Sequence, residues 1–230
     1  MSAADTLAEA VRTGLAQVAD PEKAPAMRAY MKSAMPYRGV AKPARRLLTR
    51  ELFTEHPLPD RKSFTNAVRK LWREAAYREE RYVAIDLTGY RAYTRWQESS
   101  LLPLYEEMIV TGAWWDYVDE IAIRRIGPIL RADPATVTPI MLRWSCDPDL
   151  WRRRTAVICQ VGAKADTDTM LLTQTIEATL GEPGFFLRKG IGWALREYAK
   201  TDPGWVRQFT DGHPGLSALS RREALRRIGP

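Results

Sequence analysis

Three short segments gather the side chains most able to do chemistry. The first is Trp114-Trp115-Asp116-Tyr117-Val118-Asp119, which follows Thr111-Gly112 and reads as the opening of a helix. Trp115 and Asp119 stand four residues apart and so share one helix face. Asp116 suits the positive N-terminal end of such a helix. Asp119 lies a turn deeper, where a carboxylate needs another reason, such as a fixed negative charge facing a cleft. The second segment, Leu150-Trp151-Arg152-Arg153-Arg154-Thr155-Ala156, carries three successive arginines. Neighbouring helical residues fan out by about 100°, so the three cannot all face a core. The third, residues 185–200, is basic and aromatic and is punctuated by Gly190 and Gly192. A glycine inside a helix costs about 1 kcal/mol against alanine, so both suggest close approach of something to the backbone. Taken singly, the tryptophans fit plain core packing and each basic residue fits a solvated helix face.

The elements that must carry these segments read as helices. Leu7, Val11, Leu15 and Val18 form one stripe that stops at Asp20-Pro21, and Phe64, Ala67, Val68 and Leu71 form another. Pro43 suits a first helical turn. Ser63, Ser100, Asp133, Asp147, Asp202 and Ser220 are plausible caps. Alternating β-branched runs with Asn-Gly turns are absent from the sequence, so a dozen or so short helices are expected. Short basic-apolar motifs recur at Arg45, Arg81, Arg153, Arg188 and Arg221, with steps of 36, 72, 35 and 33 residues. The Trp115–Asp119 segment fills the double step. A unit of about 35–40 residues built from helix pairs is what HEAT-type solenoids use. In that register Arg46, Asp119, Arg154, Lys189 and Arg222 point towards one shared surface.

Charge is segmented along the chain. The net charge is +7. Residues 21–100 hold 17 basic against 9 acidic side chains, and residues 151–230 hold 13 against 8, whereas residues 101–150 hold 4 against 8. Two basic flanks around an acidic centre suit a cradle that grips phosphates on either side of a carboxylate, with an affinity that falls steeply with salt. Two histidines, His56 and His213, and two unpaired-looking cysteines, Cys146 and Cys159, argue against metal sites and against Ser-His or Cys-His nucleophiles. The cysteines read as free buried thiols. Asp5 and Glu9 interrupt the opening residues, so no secretory signal is expected. No apolar run reaches the ~20 residues of a membrane span. The expected protein is soluble, cytoplasmic (on the nucleoid when bound to DNA) and monomeric, and makes no membrane contact. Its expected fold is all-α, a right-handed α-solenoid of HEAT-like helical-pair repeats with a concave basic face, forming one domain over residues 1–230.

Specific motifs then carry a resemblance. Trp-Trp-Asp-x-Val-Asp at 114–119, Leu-Trp-x-x-Arg-x-Ala at 150–156 and Phe-Phe-x-x-Lys-x-Ile-Gly-Trp-x-Leu-Arg-Glu-Tyr-x-Lys at 185–200 resemble the AlkD-type DNA alkylation repair family. Ala29-Tyr30-Met31-Lys32 and Leu219-Ser220-Arg221-Arg222-Glu223-Ala224 match as well, so the likeness runs from about residue 20 to 228. Members of that family are HEAT-like-repeat DNA glycosylases that release cationic N3- and N7-alkylated purines from duplex DNA in base excision repair. The resemblance implies a catalytic carboxylate at Asp119, cleft tryptophans at Trp115 and Trp193, a cleft arginine at Arg154 that holds a phosphate, and a DNA-contacting Tyr30. Lys32, Arg46, Arg153, Arg188, Lys189 and Arg222 are the further DNA-binding candidates. No metal or organic cofactor is implied. The resemblance also implies an open surface that works on sugar and backbone without a base-shaped pocket. This chain departs from the family pattern at Gly190, where alanine is more usual, and in a tail that stops soon after the last repeat. A non-catalytic DNA-damage binder and a HEAT-type protein scaffold are the alternatives.

Overall fold

The computed structural model describes residues 2–229, and among them the chain is all-α, with no strand. It divides into two compact units, residues 1–97 and 98–230.

The first unit holds α1 (Ala3–Gln17), α2 (Ala24–Tyr30), α3 (Lys42–Glu55), α4 (Arg61–Arg73) and α5 (Arg78–Thr88). The α1 stripe buries Leu7, Val11 and Leu15 completely. Val18 stands at the C-cap, where the helix stops and leaves its side chain exposed. The α4 stripe of Phe64, Ala67, Val68 and Leu71 is likewise fully buried, and α4 packs on both α1 and α5. Two buried polar groups tie the connections down. Glu79 in the first turn of α5 accepts the backbone N–H groups of Arg38, Gly39 and Val40, and Arg45 of α3 donates to Asp86 at 2.7 Å.

The second unit holds α6 (Leu102–Gly112), α7 (Trp115–Ile121), α8 (Gly127–Ala132), α9 (Pro134–Ser145), α10 (Leu150–Ile158), α11 (Thr169–Glu177), α12 (Phe185–Tyr198), α13 (Pro203–Gly212) and α14 (Ala218–Leu225). Its core includes Val157 and Ile158 of α10, Leu172 and Ile176 of α11, and Leu187, Ile191 and Leu195 of α12. α10 packs against α7 and α12, and α12 against α14. These four helices begin at Trp115, Leu150, Phe185 and Ala218, and their fifth residues are Asp119, Arg154, Lys189 and Arg222. In the first unit α3 begins at Lys42, and Arg46 takes the same fifth position. The register read from the motifs is thus the register of the helices.

Two local features position α7. Between α7 and α8 the helix widens into a π-turn at Ala122–Ile126. Pro128 in the first turn of α8 has no N–H to return to the ladder, which explains the widening. Gly127 then lets this segment meet α10, because a Cβ there would fall 2.4 Å from the Cys159 carbonyl oxygen.

Several caps lie elsewhere than the sequence suggests. Asp133 and Asp202 cap α9 and α13 as expected. The caps of α4 and α14 are Asp60 and Ser217, because Ser63 and Ser220 sit three positions inside and donate their N–H groups outward. Asp149 caps α10, while Asp147 accepts from the Asp149 N–H in the preceding turn. Ser100 lies in a 3-10 turn ahead of α6, which has no side-chain cap. Of the two thiols only Cys159 is buried, its pKa pushed up to about 12 by burial; Cys146 is exposed.

Candidate active site

The site in the second unit starts with the fork of Arg154. The Arg154 guanidinium is almost wholly buried, with only 4% of the residue exposed. Its Nε donates to Asp119 Oδ1 at 2.7 Å and its Nη2 donates to Asp119 Oδ2 at 2.8 Å. This is the bidentate geometry in which a planar guanidinium binds a carboxylate most strongly. Nη1 donates to the Phe186 carbonyl oxygen in the first turn of α12. One side chain therefore joins α7, α10 and α12. The two partners lie 35 residues apart, each the fifth residue of its helix.

Gly190 makes room for this arrangement. A Cβ on it would fall 3.0 Å from Arg154 Nη1 and 3.4 Å from Ile158 Cγ2. The close approach that a mid-helix glycine suggested is that of a guanidinium. Gly192 serves a different contact, because its Cβ would meet Glu223 Cβ at 2.5 Å and the Ser220 carbonyl oxygen at 2.9 Å. It lets α12 and α14 pack backbone to backbone.

Asp119 keeps 15% of its side chain accessible. Burial pushes its pKa up from the ordinary aspartate value, Arg154 opposes that rise, and Asp116 adds slightly to it. The bidentate partner is what favours the ionised carboxylate against its burial. Trp115 is half-buried on the same α7 face as Asp119. Trp193 of α12 is half-buried and packs against the core.

Beside the fork lies an aromatic cluster whose role the motifs did not reveal. Trp114 packs on Phe186 with ring centroids 5.5 Å apart, and Trp151 packs on Phe186 at 5.2 Å. Phe185 stands edge-on to Phe186 and remains exposed. This cluster holds the very turn of α12 whose carbonyl accepts from Arg154. All four residues stood in the quoted segments, but nothing in residue type separates a supporting ring from one facing a ligand.

Three of the further DNA-binding candidates in the second unit have internal partners. Arg153 pairs with Glu182 at 2.5 Å, and Lys189 with Glu223 at 2.7 Å. Arg188 donates to the Glu182 carbonyl oxygen at 3.0 Å. Arg222 is exposed on α14. Neither Glu182 nor Glu223 was singled out by the sequence: Glu182 is a lone carboxylate between helices, and Glu223, set within the basic run 221–227, reads as a local surface partner of its neighbours. Tyr30, Lys32 and Arg46 belong to the first unit, where all three are exposed; Lys32 adopts a left-handed backbone with φ +49°.

A cavity of about 280 Å³ opens between the far ends of α10 and α12, lined by Val157, Gln160, Lys164, Ala194 and Tyr198 among others, and includes neither Asp119 nor Arg154. Among the described residues, no group of three or more His, Cys, Asp or Glu side chains is placed to hold a metal ion. No helix among them is long and apolar enough to cross a membrane.

Comparison with known proteins places this geometry in a wider set. The family described as DNA alkylation repair enzyme matches residues 11–228. A solved structure described as a predicted DNA alkylation repair enzyme from Enterococcus faecalis is similar, with 28% identity and a TM-score of 0.82, over 91% of this chain and 96% of that one. No curated relative matches the chain.

Proposed function

Because the chain belongs to the DNA alkylation repair enzyme family, we propose that it is a metal-independent DNA glycosylase acting in base excision repair. Its substrates are cationic N3- and N7-alkylated purines, such as 3-methyladenine and 7-methylguanine, in duplex DNA. The observation that carries this reading is the partly accessible Asp119 carboxylate held by the buried fork of Arg154. The reading extends the paired helices to one HEAT-type repeat domain over residues 1–230, working as a monomer.

The chemistry follows from the lesion. Alkylation leaves the purine positively charged, so the N-glycosidic bond breaks with both electrons going to the base, which departs neutral. The deoxyribose acquires oxocarbenium character. A fixed carboxylate in a water-poor site stabilises that charge without reorganising, a contribution of several kcal/mol. Water, oriented by Asp119, then bonds to the anomeric carbon and passes its proton to solvent. The π faces of Trp115 and Trp193 meet the cationic nucleoside, at about 0.5–2 kcal/mol each. Arg154 orients Asp119 and favours its ionised form; with its side chain buried and three of its five N–H donors engaged inside the protein, we assign it this positioning role in place of a phosphate contact. The other basic residues grip phosphates without reading sequence.

Methylated duplex DNA provides the test, with released base identified by mass spectrometry. The wild-type protein is expected to release 3-methyladenine or 7-methylguanine. Asp119→Asn should lower the single-turnover rate by about 100-fold or more while duplex affinity is kept. Binding without release by the wild type would instead identify a damage-binding protein.

A further inference from the structure

Two of the cations expected to meet phosphates, Arg153 and Lys189, are already held by carboxylates, and those two carboxylates differ in kind. Glu223 is buried where α12 packs on α14 and its carboxylate is shared by two cations, Lys189 and Arg196, so loss of one leaves it paired with the other. Glu182 lies on the short connection between α11 and α12, and both it and Arg153 keep 21% of their side chains exposed. Its carboxylate faces Arg153 Nη1 at 2.5 Å through Oε2 and accepts the Gly184 N–H at 3.2 Å through Oε1. Its carbonyl oxygen accepts from Arg188 Nε at 3.0 Å. Glu182 thus gathers one cation from α10 and one from α12. Arg153 adjoins Arg154 in sequence, and Arg188 stands two residues beyond Phe186, whose carbonyl Arg154 holds.

A guanidinium that binds a carboxylate can bind a phosphate in the same planar fashion. A solvent-reachable ion pair is weakly held and exchanges readily. We propose that Glu182 is an affinity-setting residue for DNA: it occupies Arg153 and the neighbourhood of Arg188 in the free protein and yields them only in exchange for a backbone phosphate. The inference rests on the reading of the chain as a DNA-acting enzyme. An exchange of this kind adds no net neutralisation of the duplex, because the displaced carboxylate remains beside the phosphate. Undamaged DNA is then held less tightly than the number of cations suggests, which favours release and search.

The test is binding of an undamaged duplex by fluorescence anisotropy between 50 and 200 mM salt, choices of concentration set by the range where phosphate contacts are sensitive. Glu182→Gln retains an acceptor for the Gly184 N–H and nearly the same volume, and thermal melting checks its fold. This variant is expected to bind more tightly at low salt, with log K against log salt steeper by about 0.9 for each cation freed. Adding Arg153→Ala should remove the gain. In the wild-type background Arg153→Ala should leave the slope nearly unchanged. Unaltered affinity and slope in a folded Glu182→Gln protein would overturn the proposal and leave Glu182 as a brace for the turn that precedes α12. A slope made shallower by about 0.9 on Arg153→Ala alone would overturn it independently, even if Glu182→Gln failed to fold. Absence of salt-dependent duplex binding by the wild type would instead remove the DNA-acting reading beneath it.

Discussion

At the scale of single residues, the charge on Asp119 is balanced between two opposed effects. Burial disfavours the ionised carboxylate, and the bidentate Arg154 favours it. Catalysis requires the ionised form. Single-turnover base release should therefore fall as the pH drops through the Asp119 pKa, which lies above the ordinary value of 3.8. Removing Arg154 withdraws the stabilising cation, so the acid limb of an Arg154→Ala protein should move to higher pH. The same variant leaves a buried carboxylate without its partner, which costs about 3 kcal/mol of stability. A pH–rate profile of the two proteins measures the shift. An unchanged acid limb would remove Arg154 from the control of Asp119. Residue types and spacing nominated Asp119 and Arg154, and the repeat register placed them on one surface. That they bond each other was not legible, because a sequence carries no distance between side chains 35 residues apart.

At the scale of elements, the two glycines of α12 part company. Alanine gains about 1 kcal/mol over glycine in a helix interior. At Gly192 that gain is outweighed, because the new Cβ would strike Glu223 Cβ at 2.5 Å and the Ser220 carbonyl oxygen at 2.9 Å. Backbone cannot step aside as a side chain can, and overpacking of this kind costs about 1–3 kcal/mol. Gly192→Ala should therefore lower the stability measured by urea unfolding by up to about 2 kcal/mol net. Gly190→Ala meets the end of a side chain instead, Arg154 Nη1 at 3.0 Å. Its stability should stay within about 1 kcal/mol of wild type, while base release slows through displacement of the fork. Equal stability losses at the two positions would contradict this division. The sequence marked both glycines as sites of close approach, and only the packing says which approach is structural and which serves the site. Helix starts were less legible: Ser63 and Ser220 stand at N3 beside residues that could cap equally well by type.

At the scale of the whole molecule, the positive balance of +7 and its segmentation suit a polyanion. The proposed chemistry draws on the charge and lability of the lesion, to which Asp119 and the two indoles respond without reading base edges. Adducts larger than methyl at the N7 position of guanine should therefore also be released from duplex DNA. The measurement is base release from duplexes carrying methyl or bulkier N7 adducts, compared at single turnover. Release confined to the methyl adduct would mean that a fitted pocket selects the base.

Helix content, the repeat period and the family were all written locally. Apolar stripes at helical spacing, motifs recurring near every 35 residues and the run from Phe185 to Lys200 need no knowledge of what each residue touches. Partnership was decided only when the chain folded. Arg153, Arg154 and Lys189 look alike as basic residues on helices, yet one meets Glu182, one meets Asp119 and one meets Glu223. Whether a charge is free, spent inside or poised for exchange depends on which side chains α7, α10, α12 and α14 bring within hydrogen-bond reach, and that is a property of their packing rather than of their order.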